Sequence, residues 1–184
     1  MIENNGHQEP TLRISSIAGA LAKDRGINRE EELRTRFFTL LDERMDATGP
    51  SPEIVAVLEQ FDRKGFRMGI VTFVRRPRIL RRLDVWKLKN LFGSVITPDD
   101  VVDVKPSPQP FLTAMKELQV RPNESFVIGD EPVDMLGGKK AGAATIGIPQ
   151  GFFTAEELER AGADHILNSL DELSSIVGIN QLGS

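Results

Sequence analysis

The chain has 184 residues, 40% of them hydrophobic, which is enough for one good core or for a core with a small appended subdomain. Its 27 acidic and 23 basic residues give a formal net charge of −4, so nothing global points to nucleic acid or an anionic membrane as partner. The absence of cysteine excludes disulfides, thiolate metal sites and a thiol nucleophile and fits a reducing cytosol; no apolar run approaches the roughly 18 residues of a membrane span, and the polar start MIENNGHQEP does not read as a secretory signal. A cytoplasmic, soluble domain is expected.

From Thr11 to about Asp46 the pattern is helical, with one apolar stripe at Leu12, Ile14, Ile17 and Leu21 and another at Leu33, Phe37, Phe38, Leu40 and Leu41. Gly26 separates them, and Asn28 can cap the acidic start that follows. Thr48-Gly49-Pro50-Ser51-Pro52 breaks the pattern and reads as a linker, so residues 1–49 form a helical segment and residues 50–184 a second unit. Beyond it, element types alternate. Helices are predicted over 53–64, 78–91, 108–118, 133–141, 154–161 and 169–177. Short apolar strands are predicted over 67–73, 94–97, 125–128, 144–148 and 165–167. That alternation implies an α/β fold with a parallel sheet covered on both faces.

In such sheets ligands bind beyond the carboxyl ends of the strands. Thr72 ends the first strand; Lys105 opens the run KPSPQPF; Gly129, Asp130 and Asp134 follow the strand SFVI. One hydroxyl, one ammonium and two carboxylates on one edge suit a phosphate group and a hard divalent cation. Taken singly, each has an ordinary reading: a β-forming threonine, a solvated lysine, a Gly-Asp turn.

Thr72, KPSPQPF from Lys105 and GDEPVDM from Gly129 resemble the second, third and fourth motifs of the haloacid dehalogenase superfamily. The phosphoglycolate-phosphatase-like branch is the one most resembled, and KKAGAATIGIPQGF and ADHILNSLDEL continue the likeness over nearly the whole chain. The resemblance implies a Rossmann-like core with a small N-terminal helical cap. It also implies phosphoester hydrolysis of a small phosphorylated metabolite through an aspartyl-phosphate, with Mg²⁺. Thr72 and Lys105 would hold the phosphoryl group, Asp130 would ligate the metal, and Asp134 would support the metal's outer shell.

The superfamily's first motif, a strand followed by Asp-x-Asp-Gly-Thr, does not occur here. Its first aspartate is the nucleophile and its second the acid/base, so the chain alone is expected to be inactive. Met1–Asn5 fits the continuation past the motif, and a misplaced or truncated start is expected rather than a lineage loss. The alternative is a non-catalytic phospholigand-binding or interaction protein. In relatives the missing strand is the centre of the sheet, between the strands at 67–73 and 125–128. Those strands should then be left with unpaired edges unless they meet, lowering stability and favouring a homodimer.

Arg75, Arg76, Arg78, Arg81 and Arg82 concentrate positive charge beside Thr72. With an acidic chain and no interleaved aromatics, a solvated helix face with local counter-ions is expected rather than a nucleic-acid surface. His7 and His165 are not spaced as a metal pair. Trp86 is expected to pack, and Gly137-Gly138 lacks the context of a dinucleotide loop.

Overall fold

A computed structural model describes residues 47–173, together with Arg36, Thr39, Leu40, Glu43 and Arg44. The chain divides into two compact units, Met1–Gly49 and Pro50–Ser184. The described residues of the first are helical up to Thr48, whose hydroxyl donates to the Arg44 carbonyl (3.0 Å). The rest of the expected cap, with His7 and both apolar stripes but for Leu40, lies outside the described residues. So does most of the helix expected over 169–177, of which a 3₁₀ turn at Leu170–Glu172 is described.

In the second unit the helices are α1 (Pro52–Arg63), α2 (Arg76–Val85), α3 (Gln109–Leu118), α4 (Pro132–Ala141) and α5 (Ala155–Arg160). The strands are β1 (Met68–Val71), β2 (Phe92–Ile96), β3 (Phe126–Gly129), β4 (Ala144–Gly147) and β5 (His165–Ile166). α1 starts where Ser51 accepts the Ile54 N–H (3.4 Å) and Pro52 takes a position whose N–H would be unsatisfied anyway. α5 starts with a reciprocal cap between Thr154 and Glu157.

All five helices end the same way. A residue just past the helix end donates its N–H to the carbonyl five residues back, as Phe66 does to Phe61, Leu88 to Leu83 and Val120 to Met115. This closure needs a left-handed residue just before the donor. Gly65, Gly142 and Gly162 supply it after α1, α4 and α5, but Lys87 (φ 59) and Gln119 (φ 56) supply it after α2 and α3. The lysine explains a difference from expectation. The helix expected to run to residue 91 ends at Val85, and a separate 3₁₀ turn, Lys89–Leu91, follows. Leu83 and Leu88, both buried in one cluster, provide the apolar contact that accompanies this closure.

Every strand pairing is parallel, as expected. The described strands nevertheless form two sheets, β1–β2 and β3–β4–β5, and β1 does not meet β3. Alternate residues of β1 serve opposite faces. Met68 packs with Val57 and Phe61 of α1 and with Ile146, Ile148, Leu167 and Leu173. Val71 packs on the other side with Phe111 and Met115 of α3 and with Val127, Ala141 and Ala143. Helices therefore clothe both faces even though the sheet is interrupted. Trp86 packs in the cluster of α2, and Gly137 and Gly138 lie buried inside α4 rather than in a loop. Among the described residues no helix is long and apolar enough to cross a membrane.

Candidate functional site

β1 and β3 run in the direction that brings Thr72 and Asp130 to the same edge of the core, each directly after its strand. The Thr72 backbone N–H extends the β1–β2 ladder to the Ile96 carbonyl (3.0 Å). Its Oγ1 accepts the Val74 N–H (3.1 Å), which fixes the rotamer and leaves the hydroxyl proton as the group to donate elsewhere.

Lys105 lies in the connection from β2 to α3, after which the peptide bond to Pro106 is cis. It lines one small cavity with Thr72 and Phe73. Only 7% of it is exposed, unusual for a lysine, and two contacts account for this. Its Nζ donates to Asp134 Oδ1 (2.7 Å) and sits 4.5 Å from the centroid of the Phe73 ring. The ammonium has three donors, so capacity remains for an anion.

Asp134 lies in the first turn of α4 and is buried. Burial pushes its carboxyl above the ordinary range, the Lys105 ammonium opposes that, and the nearby Asp130 charge adds to it. The approach of Asp134 to the β3 backbone explains Gly129: a Cβ there would lie 2.4 Å from Asp134 Oδ2. Asp130 itself is exposed, and its Oδ2 would meet a Cβ at Gly151 at 2.4 Å, so the loop after β4 closes tightly over it.

The structure thus brings together all four residues singled out from the sequence. Thr72 neighbours Lys105, Lys105 bonds Asp134, and Asp134 feels Asp130. Phe73 and Gly151 were not anticipated. An aromatic directly after the strand-end threonine was a readable hint for the first, whereas the second depends on a loop returning from β4.

The family emerges from comparison at this point. Residues 14–148 match the sequence profile of haloacid dehalogenase-like hydrolases. The chain belongs to that family. It is 39% identical over 116 residues to the pyrophosphatase PpaX of Anoxybacillus flavithermus, covering 63% of this chain and 54% of that protein. Pyrophosphatase PpaX of Bacillus mycoides is 30% identical over 151 residues, covering 82% and 70%. The chain therefore spans about half of the first relative's length and more of the second's. A crystal structure of a phosphatase of the same superfamily from Thermococcus onnurineus superposes with a TM-score of 0.66 at 28% identity, covering 91% of this chain and 89% of that one.

The arginines beside Thr72 are tied into the scaffold. Arg76 donates through Nε to Asp100 Oδ1 (2.9 Å) and through its guanidinium to the Val95 carbonyl (2.8 Å). Arg75 pairs with Asp99, which also accepts the Arg76 N–H (3.0 Å). That backbone bond and Arg75 hold the Asp99 carboxyl below its ordinary range. Arg75 and Arg76 thus have the local counter-ions expected, but Arg82 departs from a solvated face, since it is buried in α2.

Mg²⁺ usually takes one or two carboxylates, with water and substrate phosphate completing six oxygens. Among the described residues no three acidic or histidine side chains gather into a metal cluster. Asp130, exposed and near Asp134, fits a single-carboxylate site. Asp134, bonded to Lys105, fits a place behind that site rather than on the ion.

Proposed function

We propose that this chain is the phosphate- and Mg²⁺-binding core of a phosphatase-type hydrolase acting on a small phosphorylated metabolite. The family membership supports the reaction class, and the names of the curated relatives make pyrophosphate a substrate to test first. The observation that carries the reading is Lys105: a lysine held almost completely buried by Asp134 and Phe73, in one small cavity with Thr72.

In this reading Thr72 donates one hydrogen bond to a phosphoryl oxygen, and Lys105 neutralises a second oxygen with the donors Asp134 leaves to it. Such preset donors act strongly because they need no reorganisation as charge develops. Asp134 positions Lys105, and Asp130 supplies the carboxylate for the metal. When bound, Mg²⁺ would withdraw negative charge from the phosphoryl oxygens.

Thermal melts in phosphate, with and without Mg²⁺, test this. Phosphate should raise Tm in a concentration-dependent way, and Mg²⁺ should add to the rise. Lys105→Met should abolish the phosphate response; Asp130→Asn should remove only the increment from Mg²⁺. A phosphate response that survives Lys105→Met would overturn the assignment. The 184-residue chain, lacking Asp-x-Asp, is expected not to hydrolyse p-nitrophenyl phosphate. Mg²⁺-dependent turnover abolished by Asp130→Ala would show that another residue serves as nucleophile.

That missing pair of aspartates also favours a second reading, a phospholigand-binding or interaction protein without turnover. The nucleotide sequence 5′ of the Met1 codon separates the two. In-frame codons for an apolar strand and Asp-x-Asp favour the hydrolase; a stop codon or unrelated sequence favours the binder.

A further inference from the structure

Two loops leave the edge that carries Thr72 and Asp130, one after β2 and one after β4, and these strands neighbour the two that end at those residues. Each loop shows an apolar side chain to water. Val102, shortly before Lys105, is 90% exposed, and Phe152, directly after Gly151, is 78% exposed. An exposed apolar residue alone calls for no explanation. Phe152 differs because its backbone is pinned on both sides. Before it, the Gln150 N–H donates to the Ile148 carbonyl (2.8 Å), and a Cβ at Gly151 would meet Asp130 Oδ2 at 2.4 Å. After it, Thr154 caps α5. Its neighbour Phe153 is half-buried, whereas Phe152 stays open to water. The charges on the other side of the edge are already matched. Among the described residues, Arg75 pairs with Asp99 and Arg76 with Asp100. The Arg76 N–H, at a helix start where an anion would otherwise be favoured, donates to Asp99 (3.0 Å). Asp103, in the same loop, is exposed as well.

We propose that Phe152 is a specificity-determining residue of this site, which takes phosphate monoesters of apolar or aromatic alcohols rather than diphosphates. The inference rests on the phosphate site proposed above and adds what lies beyond the ester oxygen. Thr72 and Lys105 serve the phosphoryl oxygens, and Asp130 serves the metal. Consecutive Cα atoms are about 3.8 Å apart, so Phe152 belongs to the same small region as Asp130, within reach of the first carbons past the ester oxygen. An uncharged chain or ring laid on Phe152 takes apolar surface out of water on both partners, and an aromatic one adds ring-to-ring attraction. Because the backbone on both sides of the phenyl group is already fixed, little freedom is lost when a ligand covers it. A diphosphate gains none of this. It also brings further negative charge towards Asp99, Asp100 and Asp103, whose repulsion nearby arginines reduce only for the first two. Pyrophosphate is therefore the decisive competitor.

The test compares the dissociation constants of methyl phosphate, phenyl phosphate and pyrophosphate for the full chain in Mg²⁺, by titration calorimetry. The two monoesters carry the same charge, so their ratio isolates the organic part. Phenyl phosphate should bind about tenfold more tightly than methyl phosphate, and pyrophosphate no more tightly than methyl phosphate. In Phe152→Ala the advantage of phenyl over methyl phosphate should fall to about twofold or less, and Phe152→Tyr should retain it. Because the side chain is exposed, neither change should disturb folding. Equal binding of the two monoesters, or tightest binding of pyrophosphate, would overturn the inference and leave the phosphate site standing. An advantage of phenyl phosphate that survives Phe152→Ala would put its ring elsewhere and overturn the assignment of Phe152. Failure of all three ligands to bind would overturn the phosphate site itself, and this inference with it.

Discussion

Two groups of charges stand near the same strand ends, and they contrast in every physical respect. Arg75 and Arg76 with Asp99 and Asp100 form a ring of ion pairs open to water, where Arg75 is 71% exposed. Lys105 and Asp134 form one pair shut away from it, at 7% and 10%. The first group is the louder signal in the sequence, yet it staples the start of α2 to the loop after β2. The second is two residues 29 positions apart, and it carries the site. Water screens the outer pair of the first group, so Arg75 can be lost cheaply. The second has given up hydration, so neither member can be removed without exposing the other.

The strongest way to break this contrast is Asp134→Asn, which leaves a buried ammonium without its counter-charge. It should cost about 3 kcal/mol in urea unfolding. A loss no larger than that of an exposed pair would dissolve the distinction. Lys105→Met should cost less, about 1–2 kcal/mol, because the carboxyl left behind can take up a proton, as burial already encourages. A carboxyl raised in the folded state contributes stability at low pH that fades as pH rises through its folded value. The penalty of Lys105→Met should therefore be smaller at pH 5 than at pH 7, as parallel melts would show.

On the open side, Arg76→Ala should cost about 1 kcal/mol by urea unfolding, since its half-buried guanidinium serves both Asp100 and the Val95 carbonyl. Arg75→Ala should leave Tm unchanged within error. Between these extremes lies Asp164, held by Lys139 and by the backbone N–H of Thr145 (2.9 Å), which bring its carboxyl down to about 2. A depressed carboxyl stabilises fully above its unfolded value and loses that contribution as pH falls through the folded one. The acid limb of the stability curve between about pH 4 and 2 should thus flatten in Asp164→Asn, read from melts across that range.

How much of this was legible in the sequence follows from the range of each interaction. Thr72 and Asp130 were readable because strand ends in a parallel α/β fold converge on one edge; Lys105, in the connection after β2, and Asp134 were readable through the runs KPSPQPF and GDEPVDM. Alternating apolar strands and amphipathic helices likewise announced the layered order. The early end of α2 was not readable. Its left-handed closing position holds Lys87, and a lysine carries no turn signal of its own; the geometry is set by Leu83 and Leu88 meeting in the core. Gly151 was hidden for a related reason. Its role beside Asp130 exists only once the loop after β4 has folded back across the site.

Lys105 has a consequence that reaches past ligand binding. Thr72 and Phe73 issue from one half of the divided sheet, and Asp130 and Asp134 from the other. The lysine, arriving from the connection after β2, rests on the ring of the first half and grips the carboxylate of the second. It is therefore a rivet across a seam as well as a receptor for charge. An anion drawn to that ammonium takes the donors Asp134 leaves to it, so ligand and rivet meet at a single nitrogen.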